Sequence, residues 1–136
     1  MATARNISIQ PTTFTAGVDF SACPTQIYRF VRAGSIAGEV LLGAAASPIL
    51  GVIQNSPSTG QEASVMLLGP TKLVMDVGTC NAVFGRYVHS ASDGQGETDN
   101  ACGVAQGVYL GSTVTSGSFV GEIFFYGLTT CLNSGS

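Results

Sequence analysis

Four thiols and one imidazole are the side chains of this sequence best suited to chemistry. The cysteines are Cys23, Cys80, Cys102 and Cys131, and no two of them stand in a Cys-x-x-Cys spacing. A zinc site would have to gather ligands from four distant places, whereas structural zinc sites announce themselves by short ligand spacings. No metal is therefore expected. Without a secretory context, four separate thiols are the state expected at synthesis. If any pair meets on oxidation, it is expected to be Cys23 with Cys131, which flank the β-rich part of the chain at its two ends.

His89 is the single histidine. It precedes a polar loop that carries Asp93, Glu97 and Asp99. A general base needs a nucleophile to activate and an acid to orient it, and no Gly-x-Ser-x-Gly elbow surrounds any serine. A loop histidine beside loop acids is usually solvated, so no catalysis is expected. The run from Asp93 to Asn100 offers oxygens and glycines to calcium. It lacks both the spacing and the terminal glutamate of an EF-hand loop, and reads as an exposed hairpin tip. The lone lysine, Lys72, follows Gly69-Pro70-Thr71 into a strand and not into a helix, so no phosphate-binding loop is present. Tryptophan is absent and aromatics make up 8% of the chain, which is poor for a sugar-stacking cleft. No cofactor is expected.

Composition narrows the classes further. The 136 residues suffice for one domain. Charged residues are 10% of the chain, against about 25% in an ordinary soluble domain. Five basic and eight acidic residues leave a net charge of −3. Five dispersed cations cannot neutralise a phosphate backbone, so no nucleic-acid partner is expected. A chain that is 45% hydrophobic is not intrinsically disordered. The longest apolar run, 40–53, is broken by Gly43, Pro48 and Gly51 and is too short to span a bilayer, so no membrane partner is expected. The first residues, Met1-Ala2-Thr3-Ala4-Arg5-Asn6, show no signal-peptide pattern, and synthesis in a cytosol is expected. Sparse charge points to a surface covered by another protein, because interface cores are depleted of charge. A compact β-protein coated with Ser and Thr is the alternative.

The elements that must position these residues read as strands. Residues 1–24 carry isolated apolar anchors, Ile7, Ile9, Phe14, Val18 and Phe20, among polar residues. They are read as an extended N-terminal arm, with an edge strand folded back on its own domain as the alternative. Residues 25–136 are expected to form a single β-rich domain. Strands are predicted near 26–32, 39–42, 49–54, 62–68, 71–76, 81–90, 104–111 and 117–126, and the second half repeats the rhythm of the first. Gly51 marks a bulge or a close backbone approach. Short strands divided by Gly and Pro turns argue for an all-β, compact antiparallel barrel or sandwich.

One resemblance runs through this pattern. Tyr28-Arg29-Phe30-Val31, then Val40-Leu41-Leu42, then Leu50-Gly51-Val52-Ile53-Gln54-Asn55-Ser56-Pro57-Ser58-Thr59-Gly60 resembles the capsid decoration (cement) proteins of tailed phages. That family has an aromatic strand, an Ile-Gly-Val-x-Gln-x-x-Pro-x-x-Gly element and an alternating strand ending in Gly, which 63–69 fits. Gly85-Arg86-Tyr87-Val88, Asp93-Gly94 and Val104-Ala105-Gln106-Gly107 resemble its later strand starts and turn. The resemblance implies a β-tulip-like body on the outside of an icosahedral head, a homotrimer bound to the major capsid protein, with no catalytic residues. It implies a virion protein made in the bacterial cytoplasm. The arm, through Ile7, Ile9, Phe14, Val18 and Phe20, suits strand addition to a capsid subunit. Arg29 and Arg32 are candidate contacts to an acidic capsid surface, or ordinary solvent-side charges. A virion-surface or extracellular β-sandwich adhesin that grips glycans is the alternative function.

Overall fold

The computed structural model describes residues 11–22, 26–45, 48–78, 80–99 and 104–130. Its regular elements are all strands: β1 (Thr12–Ala16), β2 (Phe30–Ala33), β3 (Glu39–Leu42), β4 (Gly51–Ile53), β5 (Glu62–Met66), β6 (Gly69–Asp76), β7 (Tyr87–Ser90), β8 (Gly96–Asp99), β9 (Val104–Tyr109) and β10 (Ser118–Thr130). Short runs of alternating burial produce them. In β6, for example, Thr71, Leu73 and Met75 face inward while Pro70 and Lys72 face outward, the period-two signature of a half-buried strand.

The strands close into two barrels. The first runs β1-β3-β2-β4-β5 and the second β6-β8-β7-β9-β10, each returning to its first strand. Closure leaves no free sheet edge. The two orders are the same order. In each barrel the first and third strands pair in parallel and every other pair is antiparallel.

The likeness reaches individual residues. Phe30 faces Val52 and Val31 faces Gly51 in the first barrel; Tyr87 faces Val108 and Val88 faces Gly107 in the second. Val52 then faces Met66, and Val108 faces Phe124. Ala16 faces Val40, and Met75 faces Gly96. The turn before the second strand is copied too. Tyr28 N donates to Ile53 O and Ile53 N to Arg29 O, while Gly85 N donates to Tyr109 O and Tyr109 N to Arg86 O. Tyr28 holds a φ of 61° where its counterpart Gly85 holds 89°. A left-handed backbone is therefore built into both barrels, and only the second uses the residue that adopts it without strain. Gly51 and Gly107 share one purpose: a methyl group at either would press on a carbonyl of the neighbouring strand, that of Met66 or Phe124. The close backbone approach expected at Gly51 is present, and occurs twice.

Each barrel has an apolar interior. Ala16, Phe20, Val31, Val40, Ile53, Ala63 and Val65 fill the first. Leu73, Met75, Val88, Tyr109, Ile123 and Phe125 fill the second, and Phe30, Ile49 and Val52 from the outer side of the first barrel join them in one cluster. The Phe30 and Phe125 rings lie 6.0 Å apart. Polar contacts tie the same junction: Phe30 N donates to Gly94 O at 2.8 Å and Val74 N to Tyr28 O at 2.6 Å, and Gln54 Nε2 donates to Thr71 Oγ1 at 2.8 Å.

The arm expectation is corrected over residues 11–22. Thr12–Ala16 is β1, held between β5 and β3. Phe14 and Val18 pack on the interior of the first barrel, and Phe20 is fully buried in it. The physical reason is closure: without β1 the first barrel would expose the edges of β3 and β5. Ile7 and Ile9 lie outside the described residues.

Candidate interaction surface

Among the described residues, no group of three or more His, Cys, Asp or Glu side chains is placed to hold a metal ion. His89 sits half-buried on β7, in register with Glu97 on β8, with Nδ1 3.4 Å from Ser90 O. The adjacent Ser90 is buried on the other face of the strand and donates its Oγ proton to Ala91 O. Imidazole and hydroxyl thus sit on opposite sides of the sheet. Asp93 is turned toward Arg29 and Gln95. The side chain of Asp99 lies outside the described residues, as do Cys23, Cys102 and Cys131.

Of the two arginines singled out in the sequence, Arg29 is no outward charge, and the surface-contact expectation is corrected for it. Arg29 is buried. Its Nη1 donates to Asp93 O at 3.0 Å and lies 3.7 Å from the Asp93 carboxylate, so it ties the first barrel to the β7–β8 hairpin of the second. Its Nε has no hydrogen-bond partner. Arg32 is half-buried and donates from Nε to Leu42 O on the neighbouring strand β3. Both guanidinium groups answer carbonyls of their own chain.

The surface offers apolar faces in their place. Tyr87, Val108, Phe124 and Pro70 face one another in sequence across β7, β9, β10 and β6. Residues directly opposite on paired strands share a face, so these four make one row on the outside of the second barrel. Tyr87 is 37% exposed and Phe124 39%. The counterparts in the first barrel are Phe30, Val52 and Met66. Phe30 and Val52 are fully buried because the second barrel lies over them. Phe84, just before β7, is 69% exposed, and Leu110, just after β9, extends the same side. Farther along the outer face Lys72 stands opposite Glu122, and Lys72 Nζ lies 5.9 Å from the centre of the Tyr28 ring.

A second apolar region lies on the first barrel. Ile36, at the tip of the β2–β3 hairpin, is 64% exposed, and Leu67 and Leu68, between β5 and β6, are also exposed. Sequence reasoning missed both regions. The repeated runs Arg29-Phe30-Val31 with Gly51-Val52, and Arg86-Tyr87-Val88 with Gly107-Val108, were the available signal.

Fold and surface together define a tandem pair of five-stranded barrels that shares one core cluster and leaves apolar faces open. A protein of this shape is known from a phage head. The chain is similar to the crystal structure of the head fiber gp8.5 N base of bacteriophage phi29, with a TM-score of 0.62 and 13% sequence identity, over 85% of this chain and 92% of that one. That likeness shows the fold. No protein-family model matches the chain, and no curated protein matches it.

Proposed function

We propose that this chain is a structural protein of a phage virion, seated on the outer surface of the icosahedral head. It binds the major capsid protein and cements neighbouring subunits against the pressure of the packaged DNA. It acts as a homotrimer, without turnover and without a cofactor. The observation that carries the reading is the fold: the tandem barrel matches nearly the whole of a head-fiber base. Two features support it. With 10% charged residues and a row of apolar side chains open on the second barrel, the surface suits coverage by protein. Multiple copies on a symmetric lattice also need only moderate affinity per contact, because linked contacts raise the effective concentration. Synthesis in the host cytoplasm and assembly onto heads there follow from the same reading.

The test is co-sedimentation of the purified chain with expanded heads built from the major capsid protein of the same phage, followed by heat-induced release of DNA from filled heads. Saturable binding to heads, with release shifted to higher temperature, is expected. A chain that stays in the supernatant at every ratio overturns the head-binding reading. Binding without any shift in release overturns cementing and leaves attachment. Saturable binding on a glycan array with no binding to heads would replace the reading with the adhesin.

A further inference from the structure

The internal repeat predicts how one copy meets the next. Inside the chain, the second barrel docks on the outer face of the first through Phe125, whose ring lies beside Phe30, through Thr71 and Val74 of β6, and through the β7–β8 tip carrying Asp93 and Gly94. The face that receives them carries Phe30 and Val52. Register assigns each of these a counterpart in the other barrel. The receiving pair Phe30 and Val52 corresponds to Tyr87 and Val108. The docking residue Phe125 corresponds to Leu67, and the β7–β8 tip corresponds to the β2–β3 tip with Ile36.

These original parts are used within the chain, while three of the counterparts are open. Tyr87, Ile36 and Leu67 are among its exposed large apolar side chains. The second barrel therefore presents a vacant receiving face, and the first barrel a vacant docking face, with the complementarity already realised once in the molecule.

We propose that the Tyr87–Val108 face of one copy receives the Ile36–Leu67 face of a second copy of this chain, in the arrangement by which the second barrel sits on the first. The contact joins two different surfaces, so it is heterologous and builds a ring or a filament; a ring of three agrees with the proposed homotrimer. The inference stands on the repeat and does not depend on capsid binding.

The experiment weighs the full chain in solution by light scattering. The wild type is expected to exceed the 13.9 kDa of one copy. Tyr87→Asp destroys the receiving face and Ile36→Asp the docking face, so each alone is expected at 13.9 kDa. Each variant keeps the face the other has lost. Mixed one to one, they are expected to form a dimer of 2 × 13.9 = 27.8 kDa that grows no further. A monomeric wild type overturns the proposal, as does retention of wild-type mass by either variant. Folded monomers that fail to pair on mixing also overturn it, because only a two-faced contact allows complementation. Circular dichroism verifies folding, and Tyr87→Ser with Ile36→Ser give the same readout should an aspartate unfold its barrel.

Discussion

Replacing Gly107 by alanine tests the repeat at its tightest point. The new methyl group would lie 2.6 Å from Phe124 O and 3.3 Å from Ile123 Cδ1. Real methyl carbons do not approach closer than 3.0 Å, so β9 and β10 must separate by at least 3.0 − 2.6 = 0.4 Å. The obstacle is backbone, and no rotamer change relieves it. Forced displacement in a packed interior costs about 1–3 kcal/mol. Gly51→Ala meets Met66 O more closely still, and Val65 Cγ1 at 2.6 Å, so it should cost at least as much. Gly60→Ala is the control. Nothing lies within 4 Å of its added methyl, yet its φ of +86° penalises any side chain, by about 1–2 kcal/mol. At about 2–8 °C per kcal/mol for domains bracketing this size, thermal melting by circular dichroism resolves the losses. Larger substitutions separate the causes: Gly51→Val and Gly107→Val should worsen sharply over alanine, while Gly60→Ser should match Gly60→Ala. If Gly51→Ala and Gly107→Ala melt with the wild type, the two close strand approaches do not hold these barrels and the residue-level repeat loses its basis.

Phe30→Ala should cost about 3–5 kcal/mol, since it empties a fully buried ring site beside Phe125. Tyr87→Ala, at the matching but open position, should cost less than about 1 kcal/mol when unfolding is followed in denaturant at dilutions where the chain is monomeric; equal losses would contradict the assignment of covered and open faces. Asp93→Ala should cost under about 1 kcal/mol in the same assay, because its carboxylate is 53% exposed and 3.7 Å from the guanidinium, and the carbonyl that Arg29 uses remains. Arg29→Met should stay within about 1 kcal/mol of wild type, since it removes a buried charge whose Nε is unpartnered. Burial raises the Tyr109 hydroxyl above its ordinary value of 10.0, and that hydroxyl donates to Ser112 O at 2.6 Å. Its stabilisation is thus intact below pH 10.0 and is lost as pH rises through the folded value. Stability measured against pH should fall more gently on the alkaline side in Tyr109→Phe, with Tyr126→Phe as the companion, because Tyr126 is raised by burial and by Tyr87; an unchanged slope in both variants refutes the linkage.

The all-β class was legible in the sequence, because alternation and Gly/Pro punctuation are local signals. The sequence located the backbone approach at Gly51, since a glycine inside a strand has few other uses. It also showed the surface to be short of charge. Which alternating faces are covered depends on how the barrels pack. Phe30 and Tyr87 follow an arginine in the same kind of strand, yet one is buried and the other open, because the second barrel has something to lie on and nothing in the chain lies on it in turn. The fate of the leading segment was likewise non-local: Phe14 and Phe20 read as anchors of an arm until β1 meets β5, whose residues stand far along the chain. Arg29 reads as a solvent-side charge until the β7–β8 hairpin folds over it. The rhythm of the repeat was legible, but its residue-level pairing stayed hidden for the same reason. Outside the runs Arg29-Phe30-Val31 with Gly51-Val52 and Arg86-Tyr87-Val88 with Gly107-Val108, counterparts such as Thr13 and Lys72, or Glu62 and Val120, share no chemistry; what the two barrels share there is hydrogen-bond register, which belongs to pairs of strands and is written in neither strand alone.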